Sequence, residues 1–161
     1  MMSLIASEVC GKAIDPSQDP FSDEELAALY KLSKAHDLAH LVGDALIKSK
    51  LISNAEIKSK FEKQLMTAVY RYERINYELN CLRKVLNEAQ IPFLPLKGSI
   101  LRQYYPEPWM RTSCDIDLLV HASELDRAAA LLTEKSGFRA ESKQSHDISL
   151  YAPSGVHVEL H

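Results

Sequence analysis

The sequence predicts an α+β fold, with a helical layer over residues 1–90 followed by a mixed sheet with helices on one face over residues 91–161. Two observations carry this reading. Between Ser22 and Gln90 the apolar residues recur every three or four positions, the period of helices buried along one side. From Ile91 onward the pattern changes to brief runs of Val, Ile and Leu divided by Pro, Gly and Ser, the mark of short strands and turns.

Each element has its own signal. The first predicted helix opens at Ser22, with Glu25 three residues on as a capping box, and Leu26, Leu29, Tyr30 and Ser33 follow at helical spacing. A second helix is predicted through "DLAHLVGDALIKSK", softened at Gly43. The longest is predicted from near Asn54 to near Gln90. Its stripe of Ile57, Phe61, Leu65, Val69, Tyr72, Ile75, Leu79, Leu82 and Leu86 is expected to be buried, and Pro92 disfavours its continuation. "IPFLPLKG" predicts a strand paired on one side only, because each proline removes a ladder donor. "SILRQYY" predicts a short helix stopped by "PEP". "CDIDLLV" predicts a buried strand whose Cys114, Ile116, Leu118 and Val120 face the core. "SELDRAAALLTEKSG" predicts a helix capped by Ser123 and Gly137. "FRAESKQ", "DISLYAP" and "VHVELH" predict three strands, the last two joined by the turn "PSG". The chain stops one residue past the core of that last strand, which predicts a longer parent protein truncated here.

Composition narrows the function classes. At 161 residues, 46% of them hydrophobic and 25% charged, the chain reads as an ordinary globular protein. A net charge of −3 and a pI near 6.1 argue against strong general nucleic-acid binding. No apolar run is long enough to span a bilayer, and the first residues lack a signal-peptide pattern, so no membrane is expected as a partner. Cys10, Cys81 and Cys114 are far apart and outside any CxxC pattern, which argues against a structural zinc site or disulfide framework and points to the cytoplasm.

Three stretches carry chemistry. Asp115 and Asp117 share one face of an otherwise apolar strand, about 7 Å apart at their roots. Like charges that close raise each other's pKa unless a cation sits with them. In "LKGS" a strand ends and a helix begins. Gly98 allows close backbone approach, and Ser99 adds a hydroxyl to the free N–H groups of a helix start, a turn suited to phosphate oxygens. Alone, such a turn is ordinarily just a helix cap. In "VHVELH", His157, Glu159 and His161 share one face, bringing a third carboxylate beside the aspartates if the two strands are neighbours. Together, three carboxylates and a Gly-Ser turn suit two Mg²⁺ ions clamping a triphosphate for in-line displacement. Lys97 and Arg111 flank this pocket and could neutralise phosphate charge. Trp109 reads as packing a proline loop rather than stacking on a base. His36 and His40 have helical metal-ligand spacing without an evident third ligand, and the H-x-E-x-H face offers a transition-metal alternative.

The stretch "LKGSILRQYYPEPWMRTSCDIDLLV", followed by "VHVELH", resembles the nucleotidyltransferases of the DNA-polymerase-β superfamily. More narrowly, its K-G, Y-P-x-P, R and D-I-D-L-L signature is similar to that of a bacterial family of uncharacterised nucleotidyltransferases. The resemblance implies a polymerase-β-like core with a mixed sheet. It implies that Gly98 and Ser99 hold the triphosphate, that Asp115 and Asp117 bind metal, and that Glu159 is the third carboxylate, orienting or deprotonating an acceptor hydroxyl. The expected reaction moves NMP from a Mg-NTP, ATP among them, to an acceptor that could be a small molecule, a protein or an RNA end. Two other classes stay open at this point. One is a catalytically inactive nucleotide-binding or protein-interaction module that uses the long helix, and the other is a metal-dependent hydrolase built on His157 and His161.

Overall fold

The computed structural model describes residues 1–15, 20–143 and 147–161. The fold is α+β, with N-terminal helices followed by a five-stranded mixed sheet, consistent with a polymerase-β-like core. The chain forms two compact units, Met1–Tyr70 with Tyr104–Met110 and Arg71–Gln103 with Arg111–His161. Among the described residues, no helix is long and apolar enough to cross a membrane.

The first unit is built from α1 (Met2–Cys10), α2 (Asp23–Ala35), α3 (Ala39–Lys48) and the first part of α4 (Ala55–Glu88). Helix α1 went unread in the sequence; it is one short amphipathic segment, ended by Gly11 at φ 65°, a left-handed cap that glycine adopts without steric cost. Helix α2 starts as expected. The Glu25 N–H donates to Ser22 Oγ at 3.3 Å and the Ser22 N–H donates to the Glu25 carboxylate at 2.9 Å. Helix α2 ends at Ala35, with His36 as its cap and Asp37 at φ 53° beyond it, so His36 and His40 share no helix and no helical i,i+4 face. His40 is buried with Nε2 3.1 Å from the Met110 carbonyl oxygen, a structural role in place of the weighed metal pair. Trp109 lies beside it in the short 3₁₀ turn Pro108–Met110, ring centroids 6.2 Å apart.

Gly43 does not soften α3, which runs unbroken through it. Glycine is required there because Phe61 packs directly against its backbone: a Cβ at residue 43 would lie 2.7 Å from Phe61 Cβ. Phe61, Val42, Leu46, Leu26 and Leu4 form the centre of this core, and Lys48 adds ion pairs to Glu8 at 2.7 Å and Asp44 at 2.8 Å.

In the second unit the strands are β1 (Phe93–Pro95), β2 (Asp115–Val120), β3 (Arg139–Lys143), β4 (Ile148–Tyr151) and β5 (His157–Leu160), ordered β1-β2-β5-β4-β3. The β2–β5 pair is parallel and the other three pairs are antiparallel. β1 is an edge strand, a place in a sheet where a proline such as its Pro95 is tolerated. Ile116, Leu118 and Val120 of β2, Val158 and Leu160 of β5, and Ile148 and Leu150 of β4 pack in one core with Ile75, Leu79, Leu82 and Leu86 of α4. Ala128 and Leu132 of α6 (Leu125–Ser136) complete it, so the helices cover one sheet face.

Several local readings are corrected here. The α4 stripe is buried at its two ends, whereas Leu65 and Val69 are half-buried, because the stripe leaves one core before it enters the other. Cys114 is exposed, since β2 begins only at Asp115. Ser123 is not the cap of α6. It sits inside the 3₁₀ turn Ala122–Glu124, where its own N–H donates to His121 Nδ1 at 3.4 Å. The "SILRQYY" helix is one α turn, α5 (Gly98–Leu101), continued as 3₁₀. Gly137 does end α6 at φ 69°. Gln144, the last residue of the predicted "FRAESKQ" strand, lies outside the described residues.

Two substitutions measure these cores. Gly43→Ala is expected to destabilise by about 1–3 kcal/mol through overpacking against Phe61. Leu79→Ala, at a site only 4% exposed, is expected to cost about 2–5 kcal/mol. Urea denaturation midpoints at unchanged slope read both, and an unshifted midpoint for either variant contradicts the packing at that position.

Candidate active site

The side chains of β2 alternate, so while Ile116 and Leu118 enter the core, Asp115 and Asp117 fall on the opposite sheet face. Parallel pairing then sets Asp115 opposite His157 and Asp117 opposite Glu159. The ladder continues past β5. The His161 N–H donates to the Leu118 carbonyl and the Val120 N–H donates to the His161 carbonyl, each at 2.8 Å, which fixes His161 on the same face as Glu159. His161 Nε2 lies 3.3 Å from Asp117 Oδ1 and 3.4 Å from Glu159 Oε2. One donor atom from each of Asp117, Glu159 and His161 fits within 4.8 Å of the others. Asp115 stands beside this group, level with His157, and is not one of its three members. His157 faces the other side of Glu159, with Nδ1 3.7 Å from Oε1 and Nε2 3.4 Å from Glu141, and is not one of the three members of this group.

The turn from β1 into α5 is tied to this group. The Leu96 N–H donates to the Asp117 carbonyl at 2.9 Å. Lys97 follows at φ 45°, ψ −119°, a backbone region that costs a residue with a Cβ about 1–3 kcal/mol. Its Nζ donates to Asp117 Oδ1 at 2.6 Å. The Lys97 side chain is 64% exposed and that of Asp117 only 2%. Burial pushes the Asp117 carboxyl up, but the bonds from Lys97 and His161 outweigh it and hold the group below the usual carboxylate range. Lys97 is pushed above its ordinary value by the same bond, with Glu159 and Asp115 adding to the effect.

Gly98 is needed for close approach: a Cβ there would lie 2.9 Å from Ser113 Cβ. The expected free amides are partly used, since Ser99 and Ile100 donate to the Leu96 and Lys97 carbonyls at 3.2 Å each. The Ser99 hydroxyl is buried without a partner, a polar atom with capacity left for an oxygen ligand. Arg102 was missed in the sequence, where it reads as an ordinary helix residue. Its Nε donates to Gly98 O at 2.9 Å, its Nη2 donates to Ser113 Oγ at 2.6 Å, and its guanidinium carbon lies 5.6 Å from the Tyr72 ring centroid. Burial lowers its pKa, and the half-buried Arg111 is close enough to lower it further. Two carboxylates, an imidazole and an orphaned hydroxyl suit a divalent ion and phosphate oxygens.

Removing the Lys97 ammonium leaves burial acting on Asp117 with only His161 opposed to it. The Asp117 carboxyl of Lys97→Met is therefore expected to titrate at higher pH than in the parent. By linkage, the stability this carboxylate contributes disappears at a higher pH as the solution is acidified. Carbon-13 carboxyl titration by NMR reads the shift, and an unchanged Asp117 midpoint contradicts the ion pair.

No curated protein and no solved structure matches the chain. Residues 22–161 match the model of a family described as uncharacterised nucleotidyltransferase, which takes in both the capping box of α2 and the whole Asp117 group. The chain belongs to this nucleotidyltransferase family.

Proposed function

We propose that the chain transfers a nucleoside monophosphate from a magnesium-bound nucleoside triphosphate to a hydroxyl, amine or phosphate acceptor on a small molecule, a protein or an RNA end. The observation that carries this reading is the register of β2 and β5. It sets Asp117 beside Glu159, with the Lys97-Gly98-Ser99 turn bonded to Asp117 itself.

In this reading Ser99 Oγ and the turn around Gly98 hold the triphosphate, and Lys97 and Arg111 offset its charge. Asp115, Asp117 and Glu159 hold the metal, as two ions in the fullest form, and when bound it offsets charge on the triphosphate and leaving group. Glu159 orients the acceptor and takes its proton. The acceptor atom then forms a bond to the α-phosphorus as the bond from that phosphorus to the bridging oxygen breaks, and pyrophosphate leaves. His157 and His161 bracket the Glu159 carboxylate, which restrains its rotation.

Calorimetry with ATP, UTP, CTP and GTP, each with Mg²⁺ and with chelator, tests the binding half. Affinity is expected only with the metal, and equal binding in chelator contradicts the carboxylate site. Asp117→Ala is expected to abolish metal-dependent binding. Glu159→Gln is expected to keep affinity within several-fold while pyrophosphate release slows by about 10²-fold or more, the scale of losing a positioned base. Full-rate release from Glu159→Gln removes Glu159 from the mechanism. Tight NTP binding without release to any acceptor favours a nucleotide-binding module instead.

A further inference from the structure

We propose that Asp117, Glu159 and His161 bind one divalent transition-metal ion of the Mn²⁺ or Co²⁺ class, with the His161 imidazole as a nitrogen ligand beside two carboxylate oxygens. This rests on the reading of Asp117 and Glu159 as metal-holding carboxylates, and extends it to the kind of ion the site prefers.

The donor set is the first argument. Mg²⁺ takes oxygen ligands and parts reluctantly with its water, whereas first-row transition ions from Mn²⁺ onward accept a mixed set of one imidazole nitrogen and carboxylate oxygens. The His161 nitrogen, 3.3 Å from one carboxylate and 3.4 Å from the other, adds to their oxygens a donor atom that Mg²⁺ does not favour. The second argument is rigidity. All three ligands stand on two paired strands. The His161 backbone is held from both sides by its 2.8 Å bonds to Leu118 and Val120, and Asp117 is opposite Glu159 in register. The three donor atoms within 4.8 Å of one another are therefore held without a loop having to order first. The third argument is selectivity within the same face. His157, equally spaced from Glu159 along β5, turns toward Glu141 and Tyr151, the latter ring 5.0 Å away, so only one of the two histidines belongs to the donor group. Lys97 lies on Asp117 Oδ1 in this structure. Being exposed, it can exchange that place for the ion.

Mn²⁺ alone, added to the full chain without nucleotide, is the probe. The electron spin echo of bound Mn²⁺ is expected to carry nitrogen-14 modulation in the parent and in His157→Gln, and to lose it in His161→Gln. Loss of an outer partner of a ligand already costs about 10–100-fold in metal affinity, so His161→Gln is expected to weaken Mn²⁺ by at least on the order of tenfold. Competition titrations are expected to show Mg²⁺ affinity nearly unchanged by the same variant. His161→Asn, checked with His161→Gln for native circular dichroism, repeats the comparison if one variant does not fold. Absence of Mn²⁺ binding, a nitrogen-free echo in the parent, or modulation that survives in a folded His161 variant each overturns the proposal. NTP binding with Mg²⁺ and a nitrogen-free Mn²⁺ echo would leave nucleotidyl transfer standing and remove His161 as a ligand. Nitrogen-coupled Mn²⁺ without NTP binding under any metal would do the reverse.

Discussion

Two carboxylates side by side in a parallel register repel each other, and the second unit is organised around that repulsion. Asp117 is nearly inaccessible to water, so solvent does little to screen it from Glu159. The chain brings one positive charge and one imidazole nitrogen to the place where they are needed. An ammonium arrives from the preceding turn and an imidazole from the following strand, both on the same oxygen, Asp117 Oδ1. Such an arrangement gives up some stability to keep a charged pair where an apolar pair would pack well.

The turn carrying Lys97 shows how tightly this is done. Its backbone conformation is one that glycine adopts freely, yet the next residue is the glycine and the strained one is lysine. The order follows from two separate demands. Position 98 has no room for a Cβ because of Ser113, and position 97 needs a long cationic arm toward Asp117. Arg102 closes the arrangement from the far side, since it holds Gly98 and Ser113 with one planar group. A one-turn helix has little stability of its own, and it stands here on these side-chain bonds.

Legibility in the sequence followed how local each cause is. The capping box at Ser22 and Glu25 and the left-handed cap at Gly137 involve neighbours along the chain, and both were readable. The alternation in "DIDLLV" and "VHVEL" gave each residue its face, and the condition that the two strands be neighbours is met in the sheet. Where the cause lay elsewhere in the chain, the sequence misled. Gly43 reads as a soft point in its helix because nothing near it announces Phe61, eighteen positions on and against its backbone. The long stripe reads as one surface because period alone cannot tell that Phe61 and Leu82 serve different cores. Arg102 was invisible for the same reason, its partners lying in a turn and in the approach to a strand. Ser123 failed differently. His121 offered a competing nitrogen two residues earlier, and a 3₁₀ turn formed before the helix.

The sheet order has a consequence for how the molecule is made. β5 is the last of the five described strands along the sequence and the middle one in space, between β2 and β4. Until it is inserted, β1 with β2 and β3 with β4 can exist only as two separate antiparallel ribbons, each with an unpaired edge where β5 belongs. The β2–β5 pair joins residues some forty positions apart, so it closes a long loop and is expected late. On a ribosome, a chain short of His157 would carry the lysine turn and the aspartates but no partner carboxylate. The acid group therefore comes into being in a single late event, together with the sheet that holds it, and a partly made chain has no half-working version of it.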